Sequence, residues 1–274
     1  MMKNLTLIFF IFSLLSYSQN NFTSARSIEI SENNYEEQLR SSIVKNIELT
    51  NIGPSVMSGR VTDLEVNPNN PTEFYVAYAS GGLWHTKNNG TTFSPIMDNS
   101  MTQNIGDFAI DWKSNSIYVG TGESNSSRSS YPGIGILKSN DNGSTWSNIG
   151  LRDSHHISRV LVNPNNENHI VVAVIGHLYT KNTQRGIFTS FDNGQTWKKS
   201  LFINDNTGAI DLVVDPENFD IQYAASWERE RKAWNFVGSG DNSGIYKSID
   251  GGKNWELITT KSSGFPTGDG VGRI

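Results

Sequence analysis

SNDNGSTW, residues 139–146, decides the fold because three variants of it recur: TKNNGTTF at 86–93, SFDNGQTW at 190–197 and SIDGGKNW at 248–255. The third positions, Asn88, Asp141, Asp192 and Asp250, are separated by 53, 51 and 58 residues, and a fixed period of that length marks a repeat architecture. In such a box a side-chain oxygen accepts hydrogen bonds from the N–H groups of its own tight turn. Gly supplies a positive φ, Ser or Thr hydroxyls close the loop, and the terminal aromatic ring fills space between neighbouring sheets. Asn at position 88 shows that the acceptor need not be charged. The four boxes therefore read as folding devices rather than as acids.

Working outward, each box is preceded by the same three β-rich runs. An alternating strand ends in an Asn/Asp-Pro turn or its equivalent: GRVTDLEVNPNN (59–70), IGDFAIDWKSN (105–115), ISRVLVNPNN (157–166) and TGAIDLVVDPEN (207–218). A second run follows (EFYVAYAS, SIYVGTGE, HIVVAVIGH, IQYAASWE), then a third that enters the box, and residues after the box supply a fourth. Four short antiparallel strands about every 50 residues predict an all-β chain, a β-propeller of four-stranded blades, because one such sheet cannot bury both faces alone. Four blades fill 51–274, and GVGRI at 270–274 reads as the first strand of a fifth, so the sequence is expected to be part of a larger propeller. Only 35–47, YEEQLRSSIVKNI, has a helical pattern.

The N-terminus has one Lys, an apolar run over 5–15 and polar residues after it, the layout of a secretory signal peptide over 1–19. That run is too short to span a bilayer. Residues 20–50 then form a lead-in segment. Export sets an oxidising context, yet the chain has no Cys, so packing and repetition must supply its stability. A net charge of −5 with scattered Lys and Arg gives no basic stripe for a phosphate backbone, which argues against nucleic acid. No Walker loop, Ser-His-Asp ordering or HExxH occurs, and no cofactor is implied.

With its four boxes, the chain resembles the Asp-box (bacterial neuraminidase repeat) propellers. Through IGPSVMSGRV, ASGGLWHT, GTGESN, HHISRVLVNP, GHLYT and TGAIDLVVDP it is more closely similar to the sortilin-type propellers of long secreted bacterial proteins described as glycosyl hydrolases. The resemblance covers about 50–274. It implies the fold but not the activity, since propellers host hydrolases, receptors and scaffolds alike. Xyloglucan-degrading relatives use a pair of Asp residues as acid and base. The first of that pair corresponds here to Ala79. Sialidases carry three arginines and an Arg-Ile-Pro phrase. Arg60, Arg159 and Arg273 stand at matching points of the GRV, SRV and GRI phrases, but no Pro follows.

Candidate ligand-binding residues are those that break the repeat near strand ends. Glu123, in a Ser/Asn-rich loop, and Asp63 are the carboxylates available to an acid–base role. His155, His156 and His177 could converge on an anion or a metal, but without a Cys or Asp at zinc-ligand spacing no metal is assigned. SWERERKAWNF, 226–236, inserts between the second and third strands of the fourth blade. Its Trp227, Arg229, Arg231 and Trp234 suit stacking on sugar rings or peptide side chains. Arg60, Trp84, Glu123, His156, Arg159, His177, Trp227, Arg231 and Trp234 make up the expected ligand-binding set. The expected role is an extracytoplasmic module that recognises protein or polysaccharide at the propeller mouth. The rival is a glycoside hydrolase.

Overall fold

A computed structural model describes residues 22–47 and 59–274, so the expected signal peptide over 1–19 lies outside the described residues. Four antiparallel four-stranded sheets follow one another along the chain. The first is β1 (Val61–Val66), β2 (Phe74–Tyr78), β3 (Gly82–Thr86) and β4 (Ser94–Pro95). The second is β5 (Ile105–Asp111), β6 (Ser116–Thr121), β7 (Ile136–Ser139) and β8 (Ser147–Asn148). The third is β9 (Ile157–Asn163), β10 (Asn166–Val174), β11 (Gly186–Ser190) and β12 (Lys198–Leu201). The fourth is β13 (Thr207–Val214), β14 (Gln222–Glu228), β17 (Gly244–Ser248) and β18 (Glu256–Leu257), with a hairpin, β15 (Glu230–Arg231) and β16 (Phe236–Val237), inserted after β14. β1, β5, β9 and β13 touch in succession and form the inner strands of four blades. The expected blade architecture is what folds.

Side-chain alternation explains why the sheets stack. On β10, Ile170, Val172 and Val174 join Tyr118, Ile136 and Ile157 of the second and third blades, whereas Val171 and Ala173 face Ala209, Leu212 and Ala224 of the fourth. A strand buried on both faces reads as a continuous apolar run, and each such side chain contributes about 1.5–3 kcal/mol. The first and second blades close on Tyr75, Leu83, Phe108 and Val119 in the same way.

The turns between first and second strands are pinned by their own side chains. Asn67, Asn163 and Asp215 each accept the N–H two residues on at 2.9 Å, and Asp111 does so at 3.1 Å. The boxes join third to fourth strands at the periphery. In the second, Thr145 N and Ser139 Oγ both donate to Asp141 Oδ1 at 2.8 Å, and Gly143 N donates to Ser139 Oγ at 2.9 Å. Asn142 and Gly143 adopt φ of 57° and 84°, the left-handed pair that Asn-Gly tolerates. Each Trp then reaches back to the preceding blade, with Trp146 Nε1 donating to Ile96 O at 3.2 Å and Trp197 Nε1 to Ile149 O at 2.8 Å.

Two expectations are corrected. The helix runs over Ala25–Ser41, here α1, rather than 35–47. Ser24 caps it by accepting Ser27 N at 3.2 Å, and it stops where Ser42 turns to ψ 132°. Residues 270–274 form no strand, because a strand needs a ladder partner. Instead Val271 O accepts Gly240 N at 3.0 Å, and Arg273 reaches Asn125 at 3.4 Å.

Candidate functional site

Antiparallel blades place the starts of the inner strands and the ends of the second strands at one end of the propeller, opposite the boxes. Arg60, Glu123, His156, His177 and the insertion after β14 all stand at that mouth. In the first blade the connection between second and third strands is short, and in the other three it is long. The mouth is therefore built by loops of the second, third and fourth blades.

Glu123 is buried, and its carboxylate is gripped bidentately by Arg60, with Nε to Oε1 and Nη2 to Oε2 at 2.6 Å. Its carbonyl accepts His156 Nδ1–H at 2.8 Å. This pins the second-blade loop to the first and third blades. Burial, with the Arg229 charge next, pushes His156 down to about 3. His156 is thus a buried neutral donor.

His177 and His155 stack with ring centroids 3.7 Å apart. His177 Nε2 lies 3.1 Å from Asp153 Oδ1, and its Nδ1 lies 2.7 Å from Thr180 Oγ1. Burial followed by His155 pushes His177 down to about 4. These rings line a cavity of about 260 Å³ together with Phe22, Pro132, Tyr179 and Thr180. Arg185 and Arg229 lie underneath and form no salt bridge among the described residues. Arg185 donates to Ile175 O and His177 O at 2.8 Å and to Thr180 O at 2.9 Å, and Arg229 reaches Leu178 O at 3.3 Å. They replace the ladder bonds that the loop after β10 cannot make. Burial lowers Arg185 to about 10 and Arg229 to about 9.

Trp227, expected in the insertion, lies instead on β14 opposite Gly208, is buried and donates its indole N–H to Gly238 O at 2.8 Å. Arg231 lies over the Phe236 ring at 4.5 Å, and Trp234 stands 81% exposed at the hairpin tip. Trp84 is half-buried and donates to Gly81 O at 2.8 Å, while Ala79 is buried.

A second cluster lines the inner strands. Asp63 pairs with Ala77, Asp107 with Gly120, Arg159 with Ala173 and Asp211 with Ala225, each directly after a register shift. These four residues are therefore structural equivalents, re-aimed by the same bulge. Arg159 matches Asp63 rather than Arg60, which precedes β1, and Arg273 lies outside any strand. The matching GRV and SRV phrases mislead because they stand at different distances from their turns, Arg60 seven residues before Asn67 and Arg159 four before Asn163. Arg159 Nε donates to Asp211 Oδ1 at 2.7 Å and Nη1 to Asp107 Oδ1 at 3.2 Å. Asp107 also accepts Val160 N at 2.7 Å, yet its burial, with Asp63 beside it, holds its carboxyl well above the usual range. Burial raises Asp63 too, and burial with Asp63 lifts Glu65 to about 7.

Sequence reasoning named Asp63, Arg159, Glu123 and the histidines but not Asp153, Asp107, Asp211, Glu65 or Arg185. Aligning the inner strands from their Asn/Asp turns backward, instead of from GRV forward, puts Asp63, Asp107, Arg159 and Asp211 in one column. Asp153 lies two residues before His155.

The BNR/Asp-box repeat family model matches residues 188–199. No curated protein gives a significant sequence match. Among solved structures, an ancestral GH74 enzyme superposes with TM-score 0.55 at 22% identity, over 74% of this chain and 24% of that one. A GH74 enzyme from Niastella koreensis gives 0.52 at 22% identity, over 71% and 29%. The GH74 xyloglucanase from Xanthomonas campestris gives 0.51 at 16% identity, over 72% and 29%. The chain spans 24 to 29% of the length of these enzymes, and the likeness is one of fold. The chain thus carries a BNR/Asp-box repeat and, by its stacked four-stranded sheets, shares the β-propeller fold of the GH74 enzymes.

Proposed function

We propose that the chain is an exported, sortilin-like recognition module that binds a polysaccharide or protein ligand across the mouth loops of the second to fourth blades. One observation carries the reading. Each of those loops presents an exposed aromatic ring: Tyr131 at 56%, Tyr179 at 49% and Trp234 at 81%. Rings held on separate rigid blades suit stacking against successive sugar units or apolar side chains, with little ordering cost. The GH74 fold relatives make polysaccharide the first class to try. Titration of the full chain against xyloglucan and bacterial polysaccharides should show binding that the triple variant Tyr131→Ala, Tyr179→Ala, Trp234→Ala abolishes. Binding that survives the triple variant removes these rings from the site. Export is tested by N-terminal sequencing of protein recovered outside the cytoplasm, with a new terminus expected near Gln19.

A second reading, glycoside hydrolysis, is favoured by the carboxylates Asp63, Glu65 and Asp107, since an acid held protonated near neutral pH beside another carboxylate is the pairing such chemistry needs. Release of reducing sugar that disappears in Glu65→Gln or Glu123→Gln would make it the better account.

A further inference from the structure

We propose that Asp153, His155 and His177 form a binding site for one divalent transition-metal ion of the zinc type. The sequence reading assigned no metal, and the site is independent of which ligand the mouth takes. Each residue offers one ligand atom, and the three atoms lie within 4.8 Å of one another. Two imidazole nitrogens and one carboxylate oxygen suit zinc or cobalt rather than calcium or magnesium, which prefer all-oxygen shells.

The surrounding bonds prepare the donors. His155 Nε2 lies 3.0 Å from Thr23 O. A carbonyl only accepts, so Nε2 carries the proton and Nδ1 keeps its lone pair. At His177, Thr180 Oγ1 lies 2.7 Å from Nδ1, placing a proton acceptor opposite the Nε2 that faces Asp153. Metal-bound histidines have this arrangement, one nitrogen on the ion and the other held by a carbonyl or hydroxyl. Zinc bonds of about 2.1 Å put tetrahedral ligand atoms about 3.4 Å apart. His177 Nε2 and Asp153 Oδ1, at 3.1 Å, lie about 0.3 Å inside that spacing. His155 completes the set with a ring nitrogen within 4.8 Å of each of those two atoms.

The backbone points the same way. His155 holds φ 55°, a conformation rare for a residue with a side chain, and Gly133 N locks it by donating to its carbonyl at 2.6 Å. The Arg185 guanidinium braces the loop by donating to the His177 carbonyl at 2.8 Å. The cavity bounded by Phe22, Tyr179 and Thr180 gives an ion access and leaves room for a further ligand.

The test is to strip the full-length chain with EDTA and titrate it with CoCl2, then ZnCl2, at neutral pH. One cobalt per chain should bind, with visible d–d bands that zinc abolishes, and zinc should raise the melting temperature. Asp153→Asn and His155→Gln should each weaken zinc binding about 100-fold, and Thr180→Val about tenfold, the range for loss of an orienting partner. MgCl2 and CaCl2 should leave the cobalt spectrum unchanged. No bound cobalt in the wild-type chain, variants that bind as tightly as wild type, or displacement by magnesium or calcium would each overturn the proposal.

Discussion

Arg159 Nε donates to Asp211 Oδ1 at 2.7 Å, tying the inner strand of the third blade to that of the fourth. The same guanidinium reaches back to Asp107 of the second blade at 3.2 Å, so one cation bridges three blades around the axis. Removing it leaves the buried Asp107 carboxyl without a counter-charge. Arg159→Met is expected to destabilise the fold by about 1–3 kcal/mol, the half-exposed Asp211 contact contributing little because solvent screens it. In urea denaturation the loss should shrink under acid, where Asp107 takes up a proton. A loss independent of pH would show that packing of the Arg159 stem, not its charge, holds the blades.

Gly106 sits at the bulge of β5, where a Cβ would overlap the carbonyl oxygens of Ile157 and Gly122. Those are backbone atoms of the neighbouring blade and of the mouth loop, which side-chain rotation cannot move. Gly106→Ala should cost about 3 kcal/mol, at the upper end of overpacking. Wild-type thermal stability in the variant would mean that the second and third blades pack less tightly than this geometry requires.

The boxes separate acceptor from charge. Asn88 Oδ1 accepts Thr92 N at 2.9 Å, as Asp141 accepts Thr145 N at 2.8 Å. Asp141→Ala should lower the melting temperature, and Asp141→Asn should keep most of it. The Thr145 hydroxyl and N–H hold the Asp141 carboxyl below its ordinary range, so what its charge adds is present above the unfolded value and lost as pH falls through the folded one. The difference between Asp141→Asn and wild type should therefore vanish in acid. An Asn variant as unstable as the Ala variant would make charge essential to the box.

Glu65 gives an opposite pH signature. Its folded value near 7 against an ordinary 4.5 means that the native state binds more protons between those limits. Its contribution is then complete below about 4.5 and lost as pH rises through about 7, a change on the order of 3 kcal/mol. His177, lowered to about 4, works the other way: its contribution is lost as pH falls from about 6.5. Subtracting the Glu65→Gln stability profile from that of wild type should isolate the carboxyl. A flat difference between pH 4.5 and 7 would place Glu65 in water.

The period of the boxes, the Asn/Asp turns and the apolar alternation of runs such as 170–174 determined four stacked sheets, because those signals depend on neighbours a few residues apart. The sequence also located the inserted hairpin and the mouth histidines. It placed the helix about ten residues too far along, since an apolar pattern marked the segment while the capping Ser24 set its start. It aligned Arg60 with Arg159 because a phrase of three residues recurs by itself, whereas the distance to the Asn/Asp turn, seven residues for Arg60 and four for Arg159, fixes the place in the strand.

Tertiary structure alone decided which charges meet. Asp107, Arg159 and Asp211 come from three strands separated by 52 residues at each step, and Asp153, His155 and His177 from the connection between the second and third blades and the loop after β10. Local propensity fixes a residue's strand and face, but burial and distance, which set a carboxyl's proton affinity or gather donors around an ion, arise only when the sheets close on one another.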